Sequence, residues 1–397
     1  MNKKLIQVIG AGVTATTLSA LAGDISVAPP APVNNGNWCD TLQDVGTLYK
    51  KKKKKNPYIQ EIKIFGRAHY QFSDTDGEYN GFDFDSNGGE LRRLRFGTSV
   101  KFLNGFKALG RANFEKGGFR SDQLGYNSMD ELYLEYGFDD AAGFEDITIG
   151  YGRYKVAFGG EEQTSSKKIK TVERSNISNF FAPNRSTGLL VEASHSDIDF
   201  TMGVLSTDAD QTLGQWDEGI AYYGSAALEV PTGDLIVDFI YNDANPLLDE
   251  DTFGYEWATS LTNDSKIGSW DLFLNATYGE THAGNEVYGV VVMPSTELIE
   301  DKLEAVFRYQ YAGSDNVNGL KINGRAVRNS YKAFTGGTNM NQGDENHTFY
   351  AGLNYFLCDH NAKVMVGVEY ETLEGGAGVT SVDLEATTLW AAFRMYF

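Results

Sequence analysis

The feature that most constrains the fold is an alternation of apolar and polar residues that dominates the chain from Ile59 onward. Near the C-terminus the apolar positions of this pattern are Leu389, Ala391, Phe393, Met395 and Phe397. The same two-residue period recurs in 346–357 and 361–372. Because successive side chains of a β-strand point to opposite faces, the period predicts a protein built from strands with one apolar face each.

The alternation divides the chain into sixteen predicted strands. Their ranges are 59–73, 90–103, 105–116, 129–138, 146–153, 186–195, 197–206, 217–229, 233–243, 252–262, 267–279, 285–293, 301–312, 346–357, 361–372 and 381–397. Most of them are close to the ~9–11 residues that a tilted membrane strand needs. Tyr and Phe lie near the ends of the apolar faces, as in the interfacial girdles of a membrane barrel.

The connections between these strands alternate in length. Those after even-numbered strands are mostly short, and those after odd-numbered strands are 74–89, 117–128, 154–185, 207–216 and 313–345. A secreted β-sandwich or jelly roll gives no reason for this alternation. An outer-membrane barrel has an even number of strands, with short turns at one end and long loops at the other. The predicted fold class is therefore all-β, a 16-stranded antiparallel transmembrane β-barrel.

Composition excludes several other classes of protein. The 397 residues include 44 Gly, 8 Pro and 13% aromatic residues, which favours a β protein over a disordered chain. No apolar run approaches the ~18–20 residues of a membrane-spanning helix. The net charge of −20 opposes nucleic acid as a partner, because phosphate binding requires a basic surface. No histidine lies beside a nucleophile motif, so the chain is not expected to be an enzyme.

The N-terminal region predicts export and a separate short segment. Residues 1–22 combine two early lysines, an apolar stretch and a small-x-small site, which is the pattern of a signal peptide. Residues 23–57 are expected to form a periplasmic segment with a short helix. Its lysine run at 50–55 is either a solvated tether or a contact to anionic polymer or lipid headgroups. The barrel is expected over 58–397, in the outer membrane of a Gram-negative-type bacterium.

Several motifs resemble the phosphate-selective porin O and P family. They are Gly66-Arg67, Leu-Arg-Arg-Leu-Arg at 91–95, and the segments 130–136, 149–159, 164–167 and 173–176. The resemblance implies a sixteen-stranded barrel, usually a homotrimer, whose third extracellular loop folds inward and narrows the pore. It also implies a preference for anions or phosphate.

The resemblance assigns pore roles to individual positions of this chain. The residues that match the family's anion-binding positions are Arg67, Arg92, Arg93, Asp130, Ser165 and Ser166. Two pore lysines of the family correspond here to Gly150 and Glu162, which weakens the expectation of phosphate specificity.

Strand parity extends this set of pore residues. Arg93, Arg95 and Lys101 share one face of the second strand, which predicts a positively charged wall along the pore. Arg92 has the opposite parity, so it needs a bulge or a loop position to reach the lumen.

Loop 154–185 is expected to form the constriction, because charged side chains at the narrowest point set the selectivity of a pore. Its charged residues of interest are Glu161, Glu162, Lys167 and Arg174. The two glutamates, with Asp130, are expected opposite the arginines, where they would create a transverse electric field.

Two further features of the sequence concern a disulfide and a metal site. Cys39 and Cys358 are the two cysteines of the chain, and in an oxidising compartment they are expected to form a disulfide under the barrel. Asp83, Asp85 and Asn87 match the start of a calcium-binding loop, although the glutamate expected at its end is missing. An acidic solvated loop is the favoured interpretation and calcium binding is the alternative, so no metal and no cofactor is expected.

The function favoured by these observations is passive diffusion of small hydrophilic solutes and ions through a water-filled pore. The alternative is a structural or adhesive surface barrel with little channel activity. The expected partners are further copies of the chain in a homotrimer, outer-membrane lipid and lipopolysaccharide, and small hydrophilic solutes or anions.

Overall fold

The computed structural model describes residues 38–51, 56–208, 213–214, 216, 219–244, 253–320, 324–376 and 378–397. The predicted signal peptide and Lys52 to Lys55 lie outside the described residues.

Seventeen strands of the described chain belong to one antiparallel sheet. They are β1 (Thr47–Lys50), β2 (Ile59–Tyr79), β3 (Phe82–Phe102), β4 (Phe106–Lys116), β5 (Gln123–Ala141), β6 (Phe144–Lys155), β7 (Arg185–His195), β8 (Ile198–Ser206), β9 (Ile220–Val230), β10 (Gly233–Asn242), β11 (Trp257–Ile267), β12 (Trp270–Glu280), β13 (Glu286–Ile299), β14 (Leu303–Ser314), β15 (Glu345–Cys358), β16 (Ala362–Gly375) and β17 (Val382–Tyr396). Each strand from β2 onward pairs with the next, and β17 pairs with β2. The predicted 16-stranded closed barrel is confirmed.

Alternating burial shows which side of each strand faces outward. In β17, Leu389 is 55% exposed, whereas its neighbour Trp390 is 4% exposed and Arg394 is buried. The exposed set is apolar and the covered set includes charged residues, which is the reverse of a soluble barrel and the pattern of a membrane barrel. Among the described residues, no helix is long and apolar enough to cross a membrane.

The first hairpin differs from the prediction. β2 and β3 run on to Tyr79 and Phe82, so the turn consists of Asn80 and Gly81 alone, and the predicted loop 74–89 is wrong. Both turn residues have positive φ, 50° and 80°, as a type I′ hairpin turn requires. Packing inside the barrel stabilises the extended end of β2, where the ring centroids of Tyr79 and Tyr331 are 4.6 Å apart.

The alternative of a calcium-binding loop does not fit the extended hairpin. Asp83, Asp85 and Asn87 lie on β3 as alternate exposed residues of a straight strand, and not around a loop that could enclose an ion. Within the part of the chain that the structure describes, no group of three or more His, Cys, Asp or Glu could hold a metal ion.

Four short helices accompany the strands of the described chain. Helix α1 (Trp38–Asp44) precedes the barrel, α2 (Gly160–Gln163) and α3 (Asn176–Phe181) lie between β6 and β7, and α4 (Arg325–Phe334) lies between β14 and β15. Helix α4 covers part of the end with the long loops, where Arg325 forms an ion pair of 2.8 Å with Glu90. We call the two ends of the barrel the long-loop end and the short-turn end.

Candidate functional site

The long connection between β6 and β7, which we call loop L3 (156–184), folds into the barrel. Cations on the wall hold its backbone carbonyls. Lys363 of β16 donates to the carbonyl of Ile169 at 2.7 Å, and Arg394 of β17 donates to that of Ser166 at 3.1 Å. Charge-assisted hydrogen bonds of this kind are about twice as strong as neutral ones. L3 is therefore fixed against the C-terminal side of the wall.

Apolar side chains fix the remainder of L3. Phe158 and Phe181 are buried beside Tyr255, whose hydroxyl donates to the carbonyl of Phe181 at 3.0 Å. The ring centroids of Phe181 and Tyr255 are 5.4 Å apart. Ser175 caps helix α3 by accepting a hydrogen bond from the backbone of Ser178. These contacts make L3 a packed part of the barrel interior.

Arg92 reaches the lumen because it lies in a β-bulge. A bulge is one of the two ways in which a residue of its strand parity was expected to face the pore. His69 pairs with Arg93 and Tyr70 pairs with Leu91, so Arg92 is the extra residue of β3. As a result both adjacent arginines line the interior.

The bulged arginine binds L3. Two nitrogens of Arg92 contact the carboxylate of Glu173 at 2.5 Å and 3.1 Å. Burial alone would raise the pKa of Glu173, but the attraction of Arg92 outweighs it and holds that pKa well below its usual range. Glu173 is therefore ionised at neutral pH and neutralises Arg92.

Arg67 of β2 contacts L3, and Asp130 of β5 lies among arginines of the barrel wall. Arg67 donates a hydrogen bond of 2.6 Å to the hydroxyl of Ser166, which joins two residues singled out by the resemblance. Asp130 contacts three guanidinium groups, those of Arg95 at 3.2 Å, Arg111 at 2.5 Å and Arg185 at 2.9 Å. The expectation that Asp130 faces the arginines across the pore is wrong, because it lies among them on the same wall.

The two glutamates of helix α2 point in different directions. Glu161 accepts a hydrogen bond of 2.9 Å from the backbone of Ser175 and lies 3.4 Å from Arg308, behind L3 and away from the cavity. Glu162 lines the cavity and contacts Lys155 at 2.8 Å and Arg174 at 3.2 Å. Burial opposes its ionisation, but Arg174 and Lys155 lower the pKa of Glu162 to about 2.

This is not the arrangement expected from the sequence, in which both glutamates lie opposite the arginines across the pore. Glu161 does not face the pore, and the charge of Glu162 is compensated by two adjacent cations.

A cavity of about 420 Å³ remains between L3 and the wall formed by β2 to β10. Nine cationic side chains line it: Arg67, Arg92, Arg93, Arg95, Arg111, Lys155, Lys167, Arg174 and Arg185. Four carboxylates line it: Glu131, Glu162, Glu192 and Asp199. Ser165 and Ser166 of L3 also contribute. The cavity therefore carries an excess of positive charge in a chain whose net charge is −20.

Comparison with known proteins agrees with this geometry. Residues 62–225 match the family described as phosphate-selective porin O and P. The chain is an outer-membrane porin. No curated protein sequence matches it significantly.

The barrel of this porin resembles solved outer-membrane channels. The structure of the channel DcaP of Acinetobacter baumannii aligns with a TM-score of 0.55 at 14% identity, covering 88% of this chain and 100% of that one. An anion-selective porin from Comamonas acidovorans aligns with a TM-score of 0.55 at 12% identity, covering 85% and 99%. Salmonella typhi OmpF, in complex with daunomycin, aligns with a TM-score of 0.54 at 12% identity, covering 84% and 98%. At these identities the likeness shows the fold.

Some residues of the porin's charged wall were missed or misplaced from the sequence. Lys101 does not line the cavity, and its ammonium group instead forms an ion pair of 3.3 Å with Glu61. Arg111, Lys155 and Arg185 line the cavity but were not predicted. Arg111 has the inward parity of β4, so the signal was present, whereas Arg185 stands at the junction of L3 and β7, where no periodicity applies.

Proposed function

We propose that this outer-membrane porin conducts small anions in preference to cations, without strict specificity for phosphate. The observation that carries the proposal is the cavity beside L3, where nine cationic side chains face four carboxylates. In a water-filled pore, the charge of the narrowest wall decides which ions enter. The anion-selective porin from Comamonas acidovorans, which has the same fold, supports the proposal by analogy.

Phosphate specificity is not part of the proposal because Glu162 lies in the cavity. Its partners, Lys155 and Arg174, have part of their charge compensated by it and are less available to a doubly charged anion. Gly150, at the other lysine position of the family, supplies no charge.

The reversal potential of the purified porin in a planar bilayer under a potassium chloride gradient tests the proposal. We expect anion preference, and Arg67→Gln should reduce the ratio of chloride to potassium permeability. One charge about 4 Å from a passing ion is worth ~1 kcal/mol in water, which corresponds to a factor of about five. Arg67→Lys is the matched control, because it keeps the charge and should retain most of the preference. Cation preference in the unmodified porin would refute the proposal.

Added phosphate separates general anion conduction from specific binding. We expect millimolar phosphate to leave the chloride current nearly unchanged. A strong block at that concentration would show that the family's phosphate site persists despite Gly150 and Glu162. A barrel without measurable conductance would instead support the structural or adhesive alternative.

We also propose that the porin assembles as a homotrimer, which the family resemblance implies. The mass of the detergent-solubilised protein, measured by light scattering, tests it, and a monomeric mass at all protein concentrations would contradict it. The outward apolar residues of the strands supply the contact with outer-membrane lipid and lipopolysaccharide.

A further inference from the structure

The N-terminal helix lies outside the barrel, at the short-turn end. A bulge near the end of β15 pairs Cys358 with Ala362, while Phe356 pairs with Lys363. Because the side chain of Lys363 points inward to L3, Ala362 and Cys358 point outward. The structure joins Cys358 to Cys39 of helix α1 by a disulfide. The helix therefore lies against the outer face of the wall.

The packing around the disulfide agrees with this position. Leu42 of α1 packs against the buried group formed by Cys39, Cys358 and Ala362, and so do Leu357 and Met395, both of which have outward parity. Ala362 is completely buried although it faces outward, so α1 covers it. The helix occupies a place that lipid or solvent would otherwise fill.

Strand β1 continues the barrel wall beyond the end of β17. Phe397 exchanges two backbone hydrogen bonds with Gly66 of β2, at 3.1 Å and 3.2 Å. Next along β2, Ile64 donates to the carbonyl of Gly46 at 2.8 Å, and Thr47 pairs with Lys63. Helix α1 and strand β1 are thus attached to the wall at two places, by the disulfide and by the sheet.

This attached segment leaves large apolar side chains uncovered. Trp38, Val45 and Leu48 are 53%, 56% and 57% exposed. Lys50 and Lys51 follow them and are also exposed. The short-turn end of an outer-membrane barrel faces the periplasm, so this surface lies beside the periplasmic leaflet.

We propose that α1 and β1 form an interfacial anchor that binds the periplasmic leaflet, with Trp38, Val45 and Leu48 among the headgroups and Lys50 and Lys51 on anionic phospholipid. Tryptophan favours the membrane–water interface because its ring is apolar with one polar N–H group. Basic residues beside an apolar surface add attraction to anionic lipid. The anchor is independent of the ion selectivity of the pore.

Tryptophan fluorescence of the mature porin in lipid vesicles tests the anchor. The vesicles contain phosphatidylcholine with bromine on the acyl chains near the headgroup, with or without phosphatidylglycerol. The difference between the unmodified porin and Trp38→Phe isolates the emission of Trp38. In the same way, the difference between the unmodified porin and Trp270→Phe isolates the emission of Trp270. This residue begins β12 at the short-turn end and is 42% exposed, so it serves as the internal standard for lipid contact.

We expect brominated lipid to quench Trp38 to an extent similar to Trp270, and aqueous iodide to have little effect on either. Phosphatidylglycerol should strengthen the quenching of Trp38, and the double variant Lys50→Gln, Lys51→Gln should reduce that increase, because it removes two of the six lysines at 50–55. Quenching by iodide without quenching by lipid would overturn the proposal, because Trp38 would then face the periplasm. Absence of quenching by both agents would also overturn it, since a protein partner or a second copy would cover the ring.

The double variant Cys39→Ser, Cys358→Ser tests whether the attachment positions the anchor. Lipid quenching of Trp38 should fall, while that of Trp270 stays unchanged and reports that the barrel is intact. Equal loss at both tryptophans would mean that the barrel itself has failed to fold, and the comparison then rests on the lysine variants.

Discussion

Arg92 and Glu173 join the wall of the barrel to the loop inside it. Arg92 is the extra residue of a β-bulge, and its guanidinium group contacts both oxygens of a carboxylate that L3 carries into the lumen. The Glu173 side chain is only 9% exposed. The β-bulge at Arg92 therefore helps to hold L3 in place. The same contact neutralises one of the positive charges that line the pore.

Replacing Glu173 with Gln should destabilise the porin and increase its anion preference. The change leaves Arg92 without its counter-charge, and removing one partner of a buried ion pair costs about 3–5 kcal/mol. Denaturant unfolding of the reconstituted porin measures the stability, and the reversal potential measures the preference. Glu229→Gln, at an exposed position of β9, is the control and should change neither. Unchanged unfolding of the Glu173 variant would show that the pair does not hold L3.

Replacing Asp130 with Asn should also destabilise the porin and increase its anion preference, here through repulsion among neighbouring arginines. Asp130 contacts Arg95, Arg111 and Arg185, so its loss leaves three like charges close together on one wall. We expect lower stability, by about 3 kcal/mol or more, and higher chloride selectivity. The stability loss should be smaller in high salt, because ions screen the repulsion among the arginines. A salt-independent loss would point to packing as its cause.

The strands of the barrel could be predicted from the sequence because apolar and polar residues alternate along them with a regular two-residue period. All sixteen strands follow from the two-residue period, and strand parity identified Arg93, Arg95 and the need for a bulge at Arg92. The first hairpin was missed although Asn80-Gly81, a strong hairpin signal, was present. In this region the acidic residues favour a loop, whereas the Asn80-Gly81 dipeptide favours a tight turn between two long strands.

The interior of L3 could not be predicted by the same reasoning. Loop residues have no period that tells which side they face, so Glu161 and Glu162 were expected to point together. Their directions depend on different partners, the distant Arg308 on β14 for the first and the nearby Lys155 with Arg174 for the second. The ion pairs of the folded chain, and not the order of residues in the loop, therefore decide which glutamate lines the cavity.

Deletion of residues 160–168 should raise the single-channel conductance, because this part of L3 occupies the lumen beside the cavity. A variant in which the same residues are replaced by an equal number of Gly and Ser keeps the length of the loop and separates its bulk from its charge. Conductance near the original value in the deletion variant would show that the constriction lies elsewhere in the pore.

The disulfide between Cys39 and Cys358 predicts the thiol content of the mature porin. Thiol titration of denatured, unreduced protein should detect none, and prior reduction should reveal two. After reduction, trypsin should cleave faster at Lys50 and Lys51, because only the short pairing of β1 with β2 then holds the segment. Two thiols before reduction would contradict the disulfide.

Lys167 should make the selectivity of the porin depend on pH near neutrality. Its ammonium group lies on L3, 4.5 Å above the ring of Tyr396. Burial, together with the repulsion of Arg67, Arg111 and Lys168, lowers the pKa of Lys167 to about 7, although Glu131 opposes the shift.

Because an amine is charged below its pKa, Lys167 should lose its charge as the pH rises through about 7, and the anion preference should decline over the same range. The pKa of Lys167 is lower in the folded protein than in the unfolded chain. At pH values above about 7 the unfolded chain therefore binds more protons at this group, and the free energy of unfolding rises with pH. Reversal potentials at about pH 6 and about pH 8 measure the change in selectivity. Lys167→Gln and Lys167→Arg should both show a smaller change between the two values, with a lower preference in the Gln variant and a higher one in the Arg variant, which stays charged. An equal pH dependence in all three proteins would assign the titration to another group.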